Sequence, residues 1–183
     1  FFIYYEPKDL VGGDFYWYRS FGDLSVIACV DCTGHGVPGG FMSMMGSLLL
    51  DKIVQDHNLN TSMILKELNN EIIRVLDQHG GGEIQDGMDI SICLVDSKKK
   101  ELHYSGARNG IMLVKEGKVE SYEADLIPVG GTFSKKSKTI DRDYKTRELK
   151  IDEGTWVYMY TDGYYDQLSE GKMESLGIKK FKE

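Results

Sequence analysis

Three aspartates in this chain stand where an extended, apolar run meets a glycine. Asp14 lies in Gly12-Gly13-Asp14-Phe15-Tyr16-Trp17, Asp31 opens Asp31-Cys32-Thr33-Gly34-His35-Gly36, and Asp162 lies in Thr161-Asp162-Gly163. An aspartate at a strand end can turn its carboxylate into a cleft, and the glycine lets backbone or ligand come close. Three such carboxylates on one point make a hard, oxygen-rich site of the kind that holds Mg2+ or Mn2+. Carboxylates packed together repel, and two divalent ions would neutralise them. A metal also lowers the pKa of bound water toward ~7, which supplies a nucleophile for in-line attack on phosphorus. Taken alone, each Asp-Gly pair reads more simply as a turn. The chemistry requires that the three meet.

Other reactive side chains carry weaker signals. Cys29 and Cys32 form a C-x-x-C, but no second pair follows and no histidines have zinc spacing. With Cys93 they fit free thiols in a reducing compartment. His35 has the chemistry of a proton donor to a leaving alkoxide; a role in the turn that starts a helix is the favoured reading. Gly12-Gly13-Asp14 is similar to the start of the GGDEF signature of diguanylate cyclases. Phe15 stands where the acidic residue belongs, however, and too little chain precedes it for that fold.

The elements that must position these groups follow from hydrophobic period. Phe2 to Tyr5, Asp14 to Ser20 and Leu24 to Val30 read as strands, with a turn at Phe21-Gly22-Asp23. Phe41, Met44, Met45, Leu48, Leu49 and Ile53 mark one face of a helix with Pro38 in its first turn, and that face is expected in the core. Thr61 or Ser62 caps a second helix with Leu65, Leu68, Ile72 and Leu76 on its apolar side, ended by Gly80-Gly81-Gly82. Ile90 to Val95, Leu102 to Ser105, Ile111 to Lys115, Lys118 to Glu123 and Thr155 to Tyr160 read as strands, with a hairpin turn at Glu116-Gly117. Ser134 to Lys138 reads as a solvated loop, and a last helix starts near Met173. Strands, two helices and more strands predict an α+β fold with largely antiparallel sheets.

The ordered set of motifs resembles the PPM-type (type 2C) serine/threonine protein phosphatases, in the bacterial branch named after the stage II sporulation phosphatase. Residues 6–17 are similar to the opening signature, residues 31–44 to the second, and Asp86-Gly87-Met88-Asp89-Ile90-Ser91-Ile92 to a middle one. Gly106-Ala107-Arg108-Asn109 and Thr161-Asp162-Gly163-Tyr164-Tyr165-Asp166-Gln167 are similar to later ones. The resemblance spans essentially the whole chain. It implies a four-layer αββα sandwich of two antiparallel sheets flanked by helices, and a two-metal site for Mn2+ or Mg2+. It makes Asp31 the bridging ligand, Asp14 and Asp162 further ligands, and the Cys32 backbone carbonyl another. Arg108 becomes a candidate for substrate phosphate, with a structural loop role equally open. Asp89 matches no ligand, and fixing a strand start is its expected role. The family closes with an Asp-Asp-x-Thr strand after Asp162. Residues 1–183 are therefore expected to form a single domain without that strand, with one metal site incomplete and weak activity unless the natural chain continues.

The implied activity is hydrolysis of phosphoserine or phosphothreonine on a signalling partner of the anti-sigma-factor-antagonist type. The resemblance also implies an upstream sensor domain and a regulatory lever made of the helices near residues 38–57 and 61–79. A homodimer is compatible with it. Net charge of −7 argues against nucleic acid or an anionic membrane as the main partner. No apolar run reaches the ~18 residues that span a bilayer. A cytoplasmic domain is expected, tethered to a membrane only through segments outside this sequence. The rivals are a catalytically silent module of the same fold and an unrelated nucleotide hydrolase.

Overall fold

The computed structural model describes residues 1–7, 10–55, 59–78, 85–131, 142–167 and 175–182. Strand β1 (Phe15–Phe21) turns at Gly22 into β2 (Leu24–Cys32), and helices α1 (Gly36–Gln55) and α2 (Thr61–Val75) follow. The chain continues through β3 (Gly87–Asp96), β4 (Glu101–Ala107), β5 (Ile111–Lys115), β6 (Lys118–Tyr122), β7 (Val129–Gly130), β8 (Arg147–Lys150) and β9 (Trp156–Met159) to α3 (Gly177–Phe181). The larger sheet has the order β1-β2-β3-β4-β8, with β7 paired to β3, and the smaller has β6-β5-β9. Every strand pair in both sheets is antiparallel. The α+β arrangement of two antiparallel sheets with helices is the expected one.

Period-2 alternation sorts the larger sheet into two faces. Val26, Ala28, Val30 and Cys32 of β2 and Met88, Ile90 and Ile92 of β3 pack under Leu50, Ile53, Ile64, Leu65, Leu68 and Ile72 of the helices. Each buried Val, Ile, Leu or Met among them contributes about 1.5–3 kcal/mol on leaving water. The opposite face places Cys93, Leu102 and Tyr104 against Ile111, Leu113, Val157 and Met159 of the smaller sheet. The two sheets therefore share a second core. Asp51 of α1 ties the helix layer to β1, accepting from Trp17 Nε1 at 2.8 Å and from Arg19 Nη2 at 2.7 Å.

Several local expectations change. The apolar stripe of α1 enters the core only along one flank: Ile53 is buried with Met45 and Leu49 packed against the core, Phe41, Met44 and Leu48 are exposed, and Met42, Gly46, Leu50 and Val54 complete the side that faces the sheet. Helix α1 is apolar on both sides, so periodicity alone could not choose the buried one. Gly46 decides it, because a Cβ there would sit 3.0 Å from the Phe15 ring and 3.1 Å from Met88. The cap of α2 is Asn60, whose Oδ1 accepts from Met63 N at 3.1 Å. Thr61 is instead buried, 2.7 Å from Ser105 Oγ. Phe2 to Tyr5 forms no strand. Rings hold this segment down, Phe1 on Tyr18 at 5.0 Å and Tyr5 on Tyr16 at 6.2 Å. Strands β7 and β8 went unpredicted, the first because it has two residues, the second because three of its four residues are charged. Gly80-Gly81-Gly82, Ser134 to Lys138 and Met173 lie outside the described residues. Among the described residues no helix is long and apolar enough to cross a membrane.

Candidate active site

Register builds the site. Phe15 faces Val30, Asp31 faces Asp89, and Ile90 faces Ala107. Continuing those registers by one residue sets Asp14 opposite Asp31 and Asp89 opposite Arg108. Asp14, Asp31, Asp89 and Arg108 thus form a row across four neighbouring strands at one end of the larger sheet. Because side chains alternate, the three aspartates share the face turned toward the smaller sheet. Asp162 arrives from that other sheet, three residues beyond β9. Its neighbour Thr161 donates from Oγ1 to Asp14 Oδ2 at 2.6 Å, which joins the ends of the two sheets. The structure therefore brings Asp14, Asp31 and Asp162 together, although 148 sequence positions separate the first from the last.

The electrostatics follow from that crowding. Burial first, then the charge of Asp14 and of Asp162, pushes the Asp31 carboxyl up to about 8. Asp162 is also raised, with burial the leading cause. Burial raises Asp89 as well, against the opposing pull of Arg108. Cys29 lies on the same face of β2 as Asp31, and burial with the nearby Asp14 and Asp31 charges pushes its thiol up to about 12. It stays a thiol at neutral pH. Cys32 points to the opposite face and is buried under the helices. Alternation separates these two thiols, and all three cysteines are free.

A cleft of about 350 Å³ opens in front of Asp31 and Asp162. Thr33, Asp89, Arg108 and the backbone of Gly87, Gly130 and Gly131 line the rest of it. Asp14 lies beside Asp31 and is not one of the lining residues. Arg108 Nη1 stands 3.8 Å from Asp89 Oδ1, and its backbone has φ of 62°, a left-handed conformation that a residue with a Cβ adopts at a cost. His35 is exposed in the turn before α1 and does not line the cleft. Gly13 is pressed against the next motif: a Cβ there would lie 2.5 Å from the Gly34 carbonyl oxygen and 2.9 Å from that of Cys32. This contact explains why a glycine precedes Asp14.

Asp14, Asp31 and Asp162 offer carboxylate oxygens, which suit a hard divalent cation. Crowded carboxylates are stabilised either by protons, as the raised Asp31 shows, or by such a cation. Among the described residues no three His, Cys, Asp or Glu side chains stand as a ready ligand set. The aspartates are neighbours whose rotamers would have to adjust to hold an ion. Beyond the expected part in fixing a strand start, Asp89 faces Arg108 and lines the cleft, which sequence reasoning did not foresee. That reasoning also passed over Thr33, whose Oγ1 donates to Gly87 O and accepts from Gly87 N, each at 3.0 Å. The alternation of β3, which puts Asp89 on the same side as Cys93, was the available signal.

Two stacked antiparallel sheets with an acidic cleft where they meet define a domain of the PP2C fold. The chain belongs to the family of stage II sporulation protein E (SpoIIE), whose model matches residues 22–181. Among solved structures, it is similar to the SiaA-PP2C domain of Pseudomonas aeruginosa, with 29% identity, a TM-score of 0.85, and coverage of 98% of this chain and 68% of that one. The PP2C phosphatase domain of SpoIIE from Bacillus subtilis follows at 21% identity and a TM-score of 0.66, covering 86% of this chain and 42% of that one. RsbX in complex with magnesium has 16% identity and a TM-score of 0.64, with 86% of this chain and 69% of that one covered. The last two likenesses bear on the fold alone. No curated protein matches the chain significantly.

Proposed function

We propose that this domain is a metal-dependent phosphatase that removes phosphate from serine or threonine of a signalling protein. One observation carries the reading: Asp14, Asp31 and Asp162, which come from both sheets, meet beside a cleft that Arg108 also lines. When bound, two Mn2+ or Mg2+ ions would supply a water of lowered pKa and charge neutralisation on the phosphoryl oxygens. Asp14, Asp31, Asp162 and the Cys32 carbonyl are the groups that would hold them. Arg108 offers a fork of donors for a phosphate that enters the cleft. Its guanidinium stands 3.8 Å from Asp89 Oδ1, beyond hydrogen-bond distance. Asp89 keeps that guanidinium on the cleft side by charge attraction. Thr33 pins the backbone that follows Asp31 to Gly87.

A phosphorylated regulatory domain of the anti-sigma-factor-antagonist type is the substrate class that the family favours, and an upstream sensor acting through α1 and α2 is the matching control. The exposed Phe41, Met44 and Leu48 stripe supports that second element, because it leaves an apolar helix face for such a segment to act on. The test is Mn2+-dependent hydrolysis of p-nitrophenyl phosphate and of a phosphoserine peptide, with Asp31→Asn as control. We expect turnover that falls by at least about a hundredfold in the variant. A protein of the natural length that hydrolyses neither ester with Mn2+ or Mg2+ would establish the silent signalling module instead. Preference for a nucleotide would establish the nucleotide hydrolase.

A further inference from the structure

One wall of the cleft is bare backbone. Gly130 and Gly131 are consecutive left-handed residues, with φ of 68° and 67°, and their peptides line the cleft together with Pro128 and Gly87. Strand β7 supplies only two register pairs to β3, so the sheet does little to hold this wall. Three side chains hold Gly130 and Gly131, and Tyr144 adds a bond from its hydroxyl to Pro128 O at 2.9 Å. Asn69, fully buried in α2, accepts from Gly130 N through Oδ1 at 3.0 Å. Gln78, three residues beyond the end of α2, accepts from Gly131 N at 3.0 Å and donates from Nε2 to Asp86 O at 2.7 Å. Arg142, only 7% exposed, donates from Nη1 to the carbonyls of Pro128 and of Gly130, the latter at 2.6 Å, and from Nη2 to Gly131 O at 2.6 Å. Among the described residues no carboxylate pairs with this guanidinium. A charge this deeply buried is retained where several acceptors converge on it, and here every acceptor belongs to the wall.

We propose that Asn69, Gln78 and Arg142 are positioning residues that set the Gly130–Gly131 wall and thereby the fit of the phosphate ester in the cleft. The inference rests on the phosphatase reading of the site. The three touch neither Asp31 nor Asp162, so they act through the backbone they hold. Two of them belong to α2 or its end, and the wall is the place where a displacement of that helix reaches the cleft. A wall that loosens weakens substrate binding before it affects the aspartates, so the effect falls on KM. A role in folding alone would lower the melting temperature and the active fraction and leave KM unchanged.

The experiment compares wild type with Asn69→Ala, Asn69→Asp, Gln78→Ala and Arg142→Lys in Mn2+-dependent hydrolysis of p-nitrophenyl phosphate. It is paired with amide hydrogen exchange at Gly130 and Gly131. Gln78 lies beyond the helix, so Gln78→Ala leaves the Leu65, Leu68 and Ile72 core intact and stays folded. We expect KM to rise about tenfold in Gln78→Ala and in Asn69→Ala, with kcat within about twofold, because each loses a bond to a buried amide. Exchange at Gly131 accelerates in the first variant and at Gly130 in the second. Asn69→Asp keeps the acceptor oxygen and returns KM toward wild type. Arg142→Lys keeps the charge but loses the fork, and raises KM like the alanine variants. Unchanged KM and unchanged exchange in folded Gln78→Ala and Asn69→Ala overturn the proposal. A wild-type protein without turnover overturns the phosphatase reading instead, and glycine exchange then decides the role of the three side chains by itself.

Discussion

Asp31 shows how one residue's placement converts into measurable behaviour. In the unfolded chain its carboxyl releases a proton near its ordinary value of 3.8, while the folded chain keeps that proton up to about 8. Between those values the folded state binds more protons, so stability from this group is full below about pH 4 and is lost as pH rises through about 8. Asp162 and Asp89, raised in the same direction, add to the trend. Without metal, the melting temperature is expected to fall by several degrees between about pH 5 and pH 8. Asp31→Asn is expected to flatten that slope, and thermal melts across pH check it; an equally steep slope in the variant would refute the crowding. Arg108 makes the second residue-scale case. Its left-handed backbone costs about 1 kcal/mol that glycine would not incur. Arg108→Gly is therefore expected to raise stability by up to about 1 kcal/mol while raising KM for a phosphate ester roughly tenfold. Gain in stability without loss of affinity would assign Arg108 to loop structure.

At the scale of elements, α1 is the helix whose two apolar faces have different fates. Leu50 is fully buried and Leu48 is 63% exposed, two positions apart. Leu50→Ala is expected to cost about 2–5 kcal/mol, as core truncations do. Leu48→Ala lies at the surface and is expected to stay within about 0.5 kcal/mol. Chemical denaturation of both variants decides which face is core. Most strands were legible in advance because alternation is a local property, and β1 to β6 and β9 lie where it put them, within a residue or three at each end. Which side of α1 faces the sheet was not legible. It depends on Gly46 fitting against Phe15 and Met88, one from β1 and one from β3.

For the whole molecule, the cleft is the joint between two sheets that otherwise meet through one apolar core. Asp31 and Asp89 lie in the larger sheet with Asp14 just before its first strand, and Asp162 follows the last strand of the smaller. Any divalent ion shared between Asp31 and Asp162 would therefore tie the sheets together. Mn2+ is expected to raise the melting temperature, and to do so more at about pH 8 than at about pH 5, since protons compete for the same carboxylates. Asp162→Asn is expected to remove most of that gain while leaving the metal-free protein folded. Calorimetric melts with and without Mn2+ test this, and an equal gain in the variant would place the ion elsewhere.

Residue order alone established which aspartates end strands beside glycines, the antiparallel α+β plan, and the family that the motifs resemble. These are read from short windows, where period and glycine placement act locally. Tertiary structure decided what no window contains. Register placed Asp89 beside Asp31, the packing of Gly46 set which flank of the apolar surface of α1 meets the sheet, and the side chains of Asn69, Gln78 and Arg142 came to hold a wall 11 to 61 positions away in the chain. Such contacts depend on the order in which strands meet, and composition near each residue carries no record of it.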